Sequence, residues 1–147
     1  MSMILKLQAA LATSFALVAN ATACSCASWS APDLAANSPV LAEVLIEERH
    51  VARETKTRIS ANEAEYKAIP VSYRVTRAIR GKLAAKGDLL EIGFEFGCEP
   101  KLIPHQKYVL SLRNSVDRRV ILCSIRQESD DFIQELLREV HENEKTP

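Results

Sequence analysis

The run Ala21-Thr22-Ala23-Cys24-Ser25-Cys26 constrains this chain more than any other. Small residues at positions 21 and 23 make an A-x-A cleavage site. Residues 7–19 ahead of it are mostly apolar, and Lys6 is the only charged side chain before Cys24. At about 13 residues this apolar run is shorter than the ~20 needed to cross a bilayer, and no later run is longer. Residues 1–23 are therefore expected to be a signal peptide and residues 24–147 a single exported domain, periplasmic or extracellular. Cutting after Ala23 makes Cys24 the first mature residue, with an α-amine beside a thiol. Once that thiol is tied in a disulfide, the Cys24 amine and carbonyl form a rigid, exposed pair of ligand atoms. A cysteine directly after a cleavage site also fits a lipid-anchored protein acylated at Cys24. Such sites favour a larger aliphatic residue where this chain has Ala21, so plain cleavage is the expectation.

Removing 23 of the 147 residues leaves 124, enough for one domain with a substantial core. Lys and Arg together fall from 19 to 18 when Lys6 leaves, against 19 Asp and Glu, so the mature net charge is about −1. A near-neutral chain without a basic block gives no electrostatic basis for binding nucleic acid. The four cysteines, Cys24, Cys26, Cys98 and Cys123, all fall in the exported part, where an oxidised framework is the default.

Past Cys26, Ser30 caps a short helical turn that Pro32 enters and Pro39 ends. A strand follows, with Val40, Ala42, Val44 and Ile46 on one face and Glu43 and Glu47 on the other. Residues 50–67 are polar and mixed in charge, readable either as a solvated loop or as the extension of a long hairpin. Val71, Tyr73 and Val75 alternate with polar neighbours in a second strand. Leu90, Ile92, Phe94 and Phe96 are expected to face inward on a third, with Glu91 and Glu95 outward. Tyr108, Leu110 and Leu112 mark a fourth strand, and residues 119–123 a fifth. Phe132, Ile133, Leu136, Leu137 and Val140 then recur at helical spacing behind Ser129 as a cap, and residues 142–147 are expected to fray. The resulting expectation is a mainly β fold: a five-stranded OB-fold barrel with a short N-terminal helix and a C-terminal amphipathic helix.

His50, His105 and His141 share no spacing and read as surface histidines, so no metal site and no cofactor are expected. Glu91 and Glu95 could imitate an acid pair, but alternation explains them as a solvent face. No nucleophile stands beside them, and the chain reads as non-enzymatic. A redox or copper role for Cys24 and Cys26 is disfavoured because redox motifs use two spacer residues. Trp29, the only tryptophan, is expected to pack over a disulfide rather than bind a ligand.

With Cys-x-Cys at the mature start and five strands behind it, the chain resembles the netrin-like domain of tissue inhibitors of metalloproteinases, in its single-domain bacterial form. The resemblance spans nearly all of the mature chain. Its anchors are Cys24-Ser25-Cys26, Arg77-Ala78-Ile79-Arg80-Gly81-Lys82, Phe96-Gly97-Cys98 and Leu122-Cys123-Ser124. Four cysteines permit three pairings, which the sequence leaves open. The resemblance implies Cys24–Cys98 and Cys26–Cys123, two long loops each worth about 4–5 kcal/mol in the chain-entropy model. It also implies a partner, a zinc metalloprotease. The Cys24 amine and carbonyl would displace the water on its catalytic zinc, Ser25 would point into its specificity pocket, and Phe96, Gly97, Glu99 and Pro100 would lie alongside in the cleft. The third disulfide and second domain of the animal inhibitors are missing, and Ser25 is too small to fill a pocket well. The competing expectation is a non-inhibitory secreted or lipid-anchored OB-fold module that binds another protein, with residues 50–67 as a contact surface.

Overall fold

The computed structural model describes residues 29–93 and 99–145. Its elements are α1 (Ala31–Asn37), β1 (Val40–Arg49), a single 3-10 turn (Val51–Arg53), β2 (Thr55–Thr57), β3 (Tyr66–Arg80), β4 (Lys86–Gly93), β5 (Lys107–Leu112), β6 (Arg119–Val120), β7 (Ile125–Arg126) and α2 (Asp130–Lys145). The fold is mainly β, as expected. Ser30 caps α1, its hydroxyl accepting from Asp33 N at 3.3 Å, and Ser129 caps α2 in the same way through Phe132 N at 3.2 Å. Helix α2 continues to Lys145, past the point where fraying was expected.

Seven strands form one sheet in the order β6-β4-β3-β1-β5-β7, with β2 paired to β3 beyond the end of β1. Neighbours are antiparallel except β4 and β6, which run parallel. The two edge strands are consecutive in sequence, with only residues 121–124 between them. A turn that short brings the edges together, so the sheet is rolled into a nearly closed barrel. The turn is locked by Ser124, whose amide donates to Ile121 O at 2.9 Å and whose hydroxyl accepts from Ile121 N at 2.8 Å.

Seven strands stand where five were expected, for two reasons. The expected fifth strand is split: Arg119 and Val120 pair with β4, the chain turns through Leu122 and Cys123, and Ile125 and Arg126 pair with β5. Residues 50–67, which allowed two readings, form a hairpin extension in which β1 is interrupted and resumes as β2. Pro70 supplies the cause of the interruption. Its carbonyl accepts from His50 N at 2.9 Å, so its missing N–H faces the same edge, and the 3-10 turn lies opposite it.

The alternation read from β1 and β3 holds. Val40, Ala42, Val44, Ile46, Val71 and Tyr73 fill the barrel interior with Leu89, Leu102, Tyr108, Leu110, Leu112, Val120 and Ile125. A second core lies outside the barrel wall, where Leu41 and Val109 meet Ala31, Leu34 and Ala35 of α1 and Ile133, Leu136 and Val140 of α2. Being covered on both sides, β1 buries Leu41 and Glu43 as well as its inner face. Burying this apolar surface at about 25 cal/mol per Å2 is the main source of stability.

Over the described part of β4 the expected facing is reversed at Leu90 and Glu91, while Phe94, Glu95 and Phe96 lie outside the described residues. Val71 is directly opposite Leu89, and Ile69 opposite Glu91, so Leu89 and Glu91 share the inward face. Ile92 is also fully buried, on the other face beside Ala68, while Leu90 is half-buried. Gly81 makes the turn after β3 at φ +70°. A Cβ there would come within 2.4 Å of Pro39 O, so no other residue fits without moving the backbone.

Candidate functional site

Of the residues singled out for a partner's cleft, Cys24, Ser25, Phe96 and Gly97 lie outside the described residues, as do Cys26 and Cys98. Cys123 is described, and its thiol is not free. Glu99 and Pro100 are described, half-buried, at the start of the loop that leads into β5. Glu99 folds back over Gly93, where an added Cβ would come within 2.8 Å of its Oε1. The chain that leaves β4 at Gly93 is thus back beside it at Glu99.

What holds this loop is the side chain whose role the sequence misassigned. Glu91 is only 2% exposed and receives two bonds from Arg49, Nε to Oε2 at 3.0 Å and Nη2 to Oε1 at 2.6 Å. Its Oε2 also accepts from Leu102 N at 3.1 Å. A buried carboxylate is tolerated because each of its oxygens meets a donor and its charge is paired with that of Arg49. The hydrogen bond to Glu91 holds the Arg49 guanidinium above its ordinary pKa, reinforced by the nearby charges of Glu91, Glu99 and Glu54. Further along the loop, Leu102 enters the barrel core and Ile103 N donates to the Tyr108 hydroxyl at 2.9 Å. His105 N donates to Ile46 O at 2.7 Å, and both Lys101 and His105 take positive φ. Glu91, braced by Arg49, and Tyr108 together make a platform that holds the loop at Leu102 and Ile103. The platform exposes two large apolar side chains, Ile103 at 55% on the loop and Val51 at 53% just past Arg49.

A second anchored point lies at the other end of the described chain. Trp29 is partly buried against the helix layer, its Nε1 donates to Glu128 Oε1 at 2.7 Å, and the Arg126 guanidinium stacks 5.6 Å above its ring. Trp29 therefore grips β7 and the link to α2, on the strand that leaves the Cys123 turn.

The sequence reading also missed a polar chain on the outer wall. His50 is less exposed than a surface histidine, with 18% of its side chain accessible. Its Nε2 is 2.8 Å from Ser72 Oγ, and its Nδ1 is 3.4 Å from Glu48 Oε1. Ser72 Oγ in turn donates to Asp88 Oδ1 at 2.8 Å. The distances imitate a serine–histidine–acid triad, but the proton direction is wrong. The serine hydrogen is committed to Asp88, so the imidazole donates to Oγ instead of accepting from it. These residues face one another because Glu48, Ser72 and Asp88 are cross-strand neighbours, a register that no local pattern reveals. His105 and His141 sit apart on a loop and on α2. Among the described residues no three of His, Cys, Asp and Glu group as metal ligands would, and no helix is long and apolar enough to cross a membrane.

No family model matches the chain, and no curated protein matches it.

Proposed function

We propose that this chain is an exported, netrin-like OB-fold protein that inhibits a zinc metalloprotease through the α-amine and carbonyl of Cys24. The observation that carries the reading is the coincidence of a cleavage site with Cys24-Ser25-Cys26 on a barrel able to hold that strip rigid. A catalytic zinc keeps one position open for water, and an amine and carbonyl in fixed relation can take it. A free α-amine has a pKa near 7.7–8.0, so losing its proton to ligate the metal costs little near neutral pH.

Three features of the fold support the reading. The strands run β6-β4-β3-β1-β5-β7 around a nearly closed barrel, with one parallel contact between β4 and β6, an order compatible with an OB-type Greek-key barrel. Cys26 is three residues ahead of Trp29, a reach of about 10 Å. Trp29 itself lies under Arg126, three residues past Cys123, which suits a Cys26–Cys123 bond. The Glu91 carboxylate holds Leu102, four residues past the Cys98 that would bond Cys24. Ser25, a small residue, would leave the protease's specificity pocket largely empty, so broad and modest inhibition is expected.

The test is a mature protein carrying one alanine ahead of Cys24. Native protein should inhibit a zinc endopeptidase, and the extended form should lose inhibition while keeping the same circular dichroism and melting temperature. Equal inhibition by both forms rules the mechanism out. Retained binding to a partner without inhibition, unaffected by acetylating the Cys24 amine, would reassign the protein to the non-inhibitory binding modules.

A further inference from the structure

A cleft of about 280 Å3 opens at the seam where the barrel closes. Its apolar walls are Ile59 from the tip of the β2–β3 hairpin, Leu112 at the end of β5, and Ile121 from the closing turn. Its polar lining is more informative, because most of it is already spent. Asp117 and Arg119 form a two-bond pair, Nε to Oδ1 at 2.8 Å and Nη2 to Oδ2 at 2.7 Å. The remaining Arg119 donor, Nη1, reaches the carbonyls of Arg58 at 2.9 Å and Ile59 at 3.0 Å. Ser124 Oγ is used within its own turn, and Ser111 Oγ shares a bond with Ser38 Oγ at 2.8 Å. Asp117 and Arg119 cancel in charge. That leaves Arg113, exposed on the cleft lining and without a hydrogen-bond or ion-pair partner among the described residues.

We infer that this cleft is a binding site for a small carboxylate with a short branched apolar body, its charge on Arg113 and its body against Ile59, Leu112 and Ile121. An uncommitted guanidinium is a five-donor fork that matches a carboxylate in two parallel bonds, which a lysine cannot reproduce. Asp117 is near enough for its charge to interact with Arg113, but its carboxylate takes its hydrogen bonds from Arg119, and no hydrogen bond or ion pair joins it to Arg113. The volume is near the low end of ligand pockets and admits one amino-acid-sized group, not an extended peptide. Such a carboxylate could be a free acylated amino acid or the C-terminal residue of a peptide, and both present the same chemistry to Arg113. The site is independent of Cys24 and of any protease.

The experiment is an amide-resonance titration of the oxidised, exported chain with three probes: N-acetyl-leucine, N-acetyl-leucinamide and the tripeptide Gly-Gly-Leu. N-acetyl-leucine should shift Ser111, Arg113, Ile121 and Ser124 in a saturable way, and the uncharged leucinamide should bind at least about tenfold more weakly. Arg113→Ala should weaken N-acetyl-leucine by a similar factor, with Arg113→Lys intermediate. Ile59→Trp, which fills the cleft from the hairpin side, should abolish the shifts while leaving the rest of the spectrum unchanged. Tighter binding of Gly-Gly-Leu than of N-acetyl-leucine identifies a peptide C-terminus as the source, and the reverse identifies a free acid. Equal binding of acid and amide, unchanged binding by Arg113→Ala, or no shift at about 10 mM probe would each overturn the inference.

Discussion

Glu91 shows how a single residue can invert the reading of a strand. Residues 90, 92, 94 and 96 alternate as apolar, which made the glutamates between them look solvent-facing. The register instead turns Leu89 and Glu91 inward, and the charge is tolerated only because Arg49, 42 positions away, delivers two donors. Periodicity is local and ion pairing is not, so nothing near Glu91 in sequence could have disclosed its partner. Glu91→Ala should leave a largely buried guanidinium and the Leu102 amide unpartnered, costing about 2–4 kcal/mol in urea unfolding. It should also raise hydrogen exchange at Leu102 and Ile103 before the sheet. Glu91→Gln, which keeps an oxygen for Leu102 N, should recover the loop protection but only part of the stability. Unaltered exchange in Glu91→Ala would show that the loop is held by Leu102 and Tyr108 alone.

At the level of elements, what was legible had one apolar face. Strands β1 and β3 and helix α2 each carry a periodic apolar stripe, and Val40, Ala42, Val44, Ile46, Ile133, Leu136 and Val140 all lie where their spacing put them, although β1 also buries Leu41 and Glu43 on its other face. The elements that were missed are short and stabilised by their neighbours: β2 exists because β3 runs on past Pro70, and β6 and β7 because the barrel closes there. The tip of the β2–β3 hairpin is tied to that seam through Arg119. Arg119→Ala should therefore accelerate hydrogen exchange in residues 55–67 while leaving β1 and β5 protected, and uniform acceleration across the sheet would refute this local role. Acid should have the same effect. Hydrogen bonding from Arg119 holds the Asp117 carboxyl below its usual range, helped by Arg113. A depressed folded pKa gives stability that is complete above about pH 4 and lost as pH falls through the folded value. With Asp117 over a third exposed, the loss should stay within about 1 kcal/mol.

For the molecule as a whole, the barrel and its outer helix layer are two cores sharing one wall, β1 and β5. The N-terminal strip joins that body through Trp29, and the loop after β4 joins it through Glu91. The proposed Cys24 chemistry rests on cysteine spacing and the cleavage site, which are local in sequence, whereas the platform at Glu91 and the cleft at Arg113 depend on contacts between distant strands. The central claim is that the exported chain begins at Cys24 with a free amine and two disulfides, and the intact mass and N-terminal sequence of the natively exported protein test it most directly. The account predicts a chain starting at Cys24, unmodified at its amine, with a mass lower than the fully reduced form by four hydrogens. A diacylated Cys24, or any residue retained ahead of it, would contradict the account, because neither leaves an amine that can reach a zinc ion.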